Sequence, residues 1–272
     1  MGQIVSAAAT SHTFGVADGV EEQAQRIFDG IDTIGRAIRA SRPDVMLIVT
    51  SDHLNNFSLD CQIPLAVGIS DRWTPLGDLG VPPDSFSGHR HFANGLINFG
   101  ARKNFDLVAI ENIRPDHGLA MPNAIVNRGA TIPVVPIYIN TVMTPAPTCA
   151  RSYEFGKAVR EYVQVARPDG ERVAVVATGG LSHWICLPES GTVNGDWDRQ
   201  IIEAVISGNG AALADLSFES IMLDGGNGGL EIATWAFMAG ASGDSAGEQI
   251  YYEEMTAWWT GMGGVLMHIE AT

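Results

Sequence analysis

Four histidines and one glutamate carry the chemistry this chain offers. His12, His53, His117, His183 and Glu231 each fall where a strand or helix signal gives way to Gly, Ser or Asp, the positions at which folds present metal ligands. Two imidazoles and one carboxylate on one face of a metal leave its other positions open, the arrangement used by non-haem Fe(II) sites that bind substrate and O2 together. Zinc hydrolysis uses the same ligand types, so the donors alone leave both chemistries open. Glu111 and Asp116 are candidates to orient an imidazole from behind. His89 and His91, alternating in Ser87-Gly88-His89-Arg90-His91 beside a helix start, are expected at the surface, and His268 in the core or at its rim.

The elements that must position these residues follow from apolar periodicity. Ile4 to Ala9 reads as a first strand, and Ala24, Ile27, Phe28, Ile31, Ile34 and Ile38 then recur at helical spacing up to the stop signal Pro43. Val45 to Val49 is a continuous apolar run, as expected of a strand buried on both faces. Leu107–Ile110, Val134–Ile139 and Val173–Ala177 repeat the pattern, with helical stretches near 92–102, 121–127, 153–165 and 197–206. Ile63–Ile69, with Pro64 inside it, is expected at a sheet edge or in a local hairpin. This alternation predicts a single α/β domain over 1–272: a mostly parallel central sheet with helices on both faces and the site at the carboxyl ends of the strands. His12, His53 and His183 each follow a strand and should meet at that edge. Glu231 opens a helix after a Gly run, and burying it there is costly unless it is paired, bound to a metal or stabilised by the helix N-terminus.

Composition narrows the partners. The chain has 272 residues, 46% of them hydrophobic, and a formal charge of −15, which disfavours nucleic acid and anionic membrane and favours a small molecule. No apolar run approaches the ~20 residues of a membrane span, and no basic segment precedes an apolar one at the start, so a cytoplasmic location is expected. Cys61, Cys149 and Cys186 show neither a disulfide framework nor thiolate zinc spacing.

The motifs Ser11-His12, Ser51-Asp52-His53, Asp116-His117-Gly118, Gly179-Gly180-Leu181-Ser182-His183 and Leu230-Glu231-Ile232 with Trp235 occur together in order. In this the chain resembles the class III extradiol ring-cleavage dioxygenases over essentially its whole length. The resemblance implies Fe(II) held by His12, His53 and Glu231, His183 as acid/base, and His117 contacting the substrate or oxygen. It implies a catecholic substrate and O2, with a ring-opened semialdehyde as product. It places Trp258 where relatives contact the ring substituent, and a Trp there favours an apolar or stacked group. It further implies a homo-oligomer or a complex with a small subunit. A zinc hydrolase using the same cluster is the alternative.

Overall fold

The computed structural model describes residues 1–270. Its strands are β1 (Gln3–Thr10), β2 (Val45–Thr50), β3 (Leu65–Gly68), β4 (Arg72–Trp73), β5 (Phe86–Ser87), β6 (Val108–Ile110), β7 (Val134–Ile139), β8 (Arg172–Thr178), β9 (Gly247–Met255) and β10 (Thr260–Met267). The α-helices are α1 (Glu21–Ala40), α2 (Arg90–Arg102), α3 (His117–Val126), α4 (Cys149–Ala166), α5 (Gly195–Ile206), α6 (Phe218–Asp224) and α7 (Ile232–Ser242). Eight strands form one sheet in the order β6-β3-β7-β2-β8-β1-β10-β9, and β4 pairs with β5 in a separate ribbon. The four central strands β7, β2, β8 and β1 are mutually parallel.

The continuous apolar runs have a direct explanation in this sheet. Along β1 and β2, Ala7, Ala9, Val45, Leu47 and Val49 point into the layer formed by α2, α4, α5 and α7, whereas Ala8, Met46 and Ile48 point into the layer formed by α1 and α3. Both faces are covered, so no residue of β2 is left for water. On the second layer, Ile27, Ile31, Ile34 and Ile38 of α1 are fully buried, each contributing about 1.5–3 kcal/mol. The helix carries Glu21 and Glu22 in its first turn and Arg39 in its last, in the sense its dipole favours.

Two expectations change. The strand expected over 63–69 is β3, and it lies inside the sheet between β6 and β7 instead of at an edge. Pro64 precedes it, so no ladder N–H is lost, and the Pro64 carbonyl accepts from Asn140 N. Also, β3 is antiparallel to β7 and parallel to β6, so β6 runs away from the edge where the central strands end. Residues 111–116 carry the chain back, and His117 reaches that edge as the first residue of α3.

Helices α4 and α7 pack through reciprocal glycines. A Cβ on Gly156 would run into the Phe237 carbonyl and lie 2.9 Å from Ala241 N, while one on Gly240 would run into the Tyr153 carbonyl and lie 3.1 Å from Lys157 N. The obstacle on each side is backbone, which cannot rotate away. Gly156→Val is therefore expected to lower unfolding stability by about 3 kcal/mol in urea titration, the upper end of overpacking costs. A loss below half that would mean the helices separate easily.

Candidate active site

The carboxyl ends of β1, β2 and β8 deliver His12, His53 and the turn before His183 to one place, and the start of α7 delivers Glu231. His12 Nε2 lies 3.2 Å from His53 Nε2 and 3.4 Å from Glu231 Oε1, and His53 Nε2 lies 3.0 Å from the same Oε1. Donors about 2.1 Å from a common ion stand about 3.0 Å apart at a right angle and about 3.4 Å apart at the tetrahedral angle. The three edges of this triangle span that range, so the residues fit a divalent metal. His117 joins from α3, its ring centroid 4.4 Å from that of His53, and one nitrogen from each of His12, His53 and His117 lies within 4.8 Å of the others.

His53, Glu231 and His183 are held from behind, whereas His12 Nδ1 is buried without a hydrogen-bond partner among the described residues. Asp116 is fully buried; its Oδ2 accepts from His53 N and His53 Nδ1, both at 3.0 Å, and from Asn55 Nδ2, while its Oδ1 caps α3 by accepting from Gly118 N at 3.1 Å. That leaves His53 Nε2 as the inward donor. Glu231 Oε2 accepts from Gly180 N at 2.9 Å, leaving Oε1 for the histidines. Gly179, at φ +129°, is required there because a Cβ would sit 2.8 Å from that of Glu231. Gly118 similarly lets α3 approach, since a Cβ would stand 2.7 Å from His53 Cε1. His183 Nδ1 donates to the Leu181 carbonyl at 2.9 Å, which leaves Nε2 available.

Electrostatics follow from these contacts. Burial by itself would raise the Glu231 carboxyl, but the His12 and His53 imidazoles outweigh it and hold it well below the usual range. Burial would likewise lower His53, and its bonds to Asp116 and Glu231 push it up to about 10 instead. His53 thus keeps a proton that a metal ion would displace. Burial lowers His117 and His183, keeping both as neutral imidazoles near pH 7.

A family model described as the catalytic LigB subunit of aromatic ring-opening dioxygenase matches residues 6–263. The chain belongs to this family. As a LigB-family chain it is an extradiol ring-cleavage dioxygenase, and its cluster sits within the matched span. It is 25% identical to a 2,3-dihydroxyphenylpropionate/2,3-dihydroxicinnamic acid 1,2-dioxygenase of Photorhabdus laumondii, covering 93% of this chain and 94% of the relative. A protein of the same name from Burkholderia vietnamiensis is 26% identical over 91% of this chain and 92% of its own. An uncharacterized Escherichia coli K12 protein shares the fold, with a TM-score of 0.63 at 16% identity, over 96% of this chain and all of that one. Among the described residues, no helix of the LigB-family chain is long and apolar enough to cross a membrane.

The five sequence candidates therefore converge, and Asp116 proves to orient His53. Glu111 does not join them: it pairs with Arg90 at the surface. His89 caps α2 by accepting from Phe92 N, and His268 is exposed, near Glu248. Trp258 is buried against Phe14 and Phe28 with its indole N–H donated to the Val16 carbonyl, contacts that fix the loop following His12. Sequence reasoning missed Asp78 and Asp198. Asp78 Oδ2 accepts a hydrogen bond from His117 Nδ1 at 2.6 Å. Asp198 accepts from Ser182 N, Ser182 Oγ and Tyr252 OH, pinning the turn that presents His183. Asp198 reads in sequence as an ordinary acid in a helix first turn, and nothing in its spacing points to Ser182.

Two measurements follow from this wiring. Asp116→Ala should weaken metal affinity 10–100-fold in chelator competition, and an unchanged affinity would remove Asp116 from ligand support. Burial pushes the Asp198 carboxyl up to about 6 against the hydrogen bonds that oppose it. The folded protein holds that proton more tightly than an unfolded chain, so the contribution is complete below about pH 4 and lost as the pH rises through 6. Between pH 4 and 7 the wild type should lose about 3 kcal/mol relative to Asp198→Asn in urea midpoints, and parallel profiles would exclude it.

Proposed function

We propose that this protein is an Fe(II)-dependent dioxygenase that opens a catechol beside one of its hydroxyl-bearing carbons, giving a semialdehyde in aromatic degradation. The observation that carries the reading is the triangle of His12, His53 and Glu231 donors, 3.0–3.4 Å apart, with His117 and His183 supplied from separate elements. Two imidazoles and one carboxylate suit a ferrous ion that must keep positions open for two more reactants. When bound, that ion would supply the redox chemistry linking the electron-rich ring to O2. The names of the relatives favour a ring with an acidic side chain.

The chain's own residues divide the remaining work. Glu231 and the two ligand histidines are fixed before substrate arrives, so little reorganisation accompanies binding. His183, neutral and buried with Nδ1–H committed to Leu181, takes a proton at Nε2 from a substrate hydroxyl and returns it later as the ring opens. His117, whose ring stands 4.4 Å from that of His53, meets the substrate beside the cluster. Both oxygen atoms of O2 leave in the product, one in the new carboxylate and one in the new carbonyl group, so no external reductant is consumed.

Anaerobic loading with Fe(II), followed by O2 uptake against catechol, protocatechuate, gallate, 2,3-dihydroxyphenylpropionate and 2,3-dihydroxybiphenyl, tests the reading. One O2 consumed per catechol with a new yellow absorbance band is expected. A protein that loads zinc, ignores iron and consumes no O2 would turn the reading towards hydrolysis. His53→Ala should lose iron and activity together, and full iron retention would remove its ligand role. His183→Ala should keep iron and lose ~10²-fold or more in turnover, whereas near-normal turnover would take it out of proton transfer.

A further inference from the structure

One buried carboxylate in this fold is used in a way the cluster repeats. Asp116 Oδ2 grips His53 by both its backbone N and its Nδ1, each at 3.0 Å. Asp78 grips His117 in the same manner: its Oδ2 accepts from His117 N at 3.2 Å and from His117 Nδ1 at 2.6 Å. Each carboxylate comes from outside the histidine's own turn, binds backbone and ring with a single oxygen, and leaves Nε2 as the free nitrogen. Asp116 does this for a metal donor. Asp78 does it for a histidine that stands against the other two, 4.4 Å from the His53 ring and 5.6 Å from the His12 ring.

The segment carrying Asp78 is built to stay where it is. Gly77 at φ +84° and Gly80 at φ +76° turn the chain tightly on either side of it. Leu76 N donates to the Pro115 carbonyl at 2.8 Å, and Arg114 Nη2 donates to the Pro75 carbonyl at 3.0 Å and the Leu76 carbonyl at 2.9 Å. The 75–78 segment and the 114–117 segment are thus laced together, with the Asp78–His117 bond at the inner end. Asp78 Oδ1 is buried and has no partner among the described residues, where the carboxylate hydrogen-bonds to His117 alone.

We propose that Asp78 is a positioning residue of the ring-opening reaction: it fixes His117 as the Nδ1–H tautomer, so that Nε2 accepts a hydrogen bond from a substrate hydroxyl. The proposal rests on the catechol reading above. A free imidazole in water favours the proton on Nε2, which would present a donor where the substrate also offers a donor. The 2.6 Å bond to a carboxylate reverses that choice, since the Nδ1–H donor is satisfied by an anion in a partly dry setting. His117 would then hold the hydroxyl while His183 exchanges its proton, giving the two histidines separate tasks.

The test combines a double-mutant cycle with a direct view of the tautomer. In iron-loaded protein, Asp78→Ala should lower kcat by about 10–100-fold with iron content unchanged. In a His117→Ala background the same change should cost less than about twofold, because the residue acts through His117. Equal losses in both backgrounds would assign Asp78 a purely structural role and overturn the proposal. Independently, 15N NMR of the protein loaded with Zn2+ in place of paramagnetic iron should show His117 protonated at Nδ1 in the wild type and at Nε2, in part or whole, in Asp78→Ala. A wild-type His117 protonated at Nε2 would overturn it as well. The NMR result does not depend on turnover, so failure of the catechol reading and failure of the Asp78 assignment give different outcomes.

Discussion

Asp116 and Glu231 are both removed from water, and a buried carboxylate is tolerated only when charge and hydrogen bonds replace its hydration. Every atom they offer is used. Asp116 joins the His53 loop to the first turn of α3, and Glu231 joins the His12 and His53 rings to the Gly180 backbone. Five chain segments, those of His12, His53, Asp116, Gly180 and Glu231, therefore meet at two acids. Loss of Glu231 would leave the His12 and His53 imidazoles facing one another without an anion between them, and loss of Asp116 would free the His53 ring from the start of α3.

Close approach is the second requirement, and it falls on glycines. Gly118 admits α3 to the imidazoles, Gly179 passes beside Glu231, and Gly228 leaves no room for a side chain against the His183 ring. Around them the backbone is bonded reciprocally: His183 N donates to the Gly225 carbonyl, and Gly228 N to the His183 carbonyl. Thr178 Oγ1 donates to the Gly118 carbonyl at 2.7 Å, tying the end of β8 to the start of α3. Such a site is preorganised. His53 and His117 keep 22% and 16% of their side-chain surface, so the approach to the cluster is on their side, while His12 is almost wholly enclosed.

The parallel core was legible because its physics is periodic. β2 and β7 are buried on both faces and read as unbroken apolar runs, and α1 shows isoleucines at helical spacing. His12, His53 and His183 were legible because each follows the exit of such a strand, whereas His117 opens α3. β3 was misplaced because a proline suggests an edge when it falls inside a strand, whereas Pro64 falls before one. The sense of β6 was hidden for a different reason: three residues carry no record of strand direction, and only the pairing with β3 and β7 decides it.

By itself the sequence determined the α/β alternation, the five residues of the cluster and the family resemblance, since these depend on residue type, local period and order along the chain. Tertiary structure decided which nitrogen of His53 and of His117 faces inward, because that depends on a carboxylate from elsewhere. Asp116 acts on His53 across 63 positions and Asp78 on His117 across 39. It decided too that Trp258 packs the loop after His12 and that Asp198 supports the His183 turn. Hydrogen bonds are short-ranged in space and indifferent to separation in sequence, so they leave no periodic trace until the chain has folded.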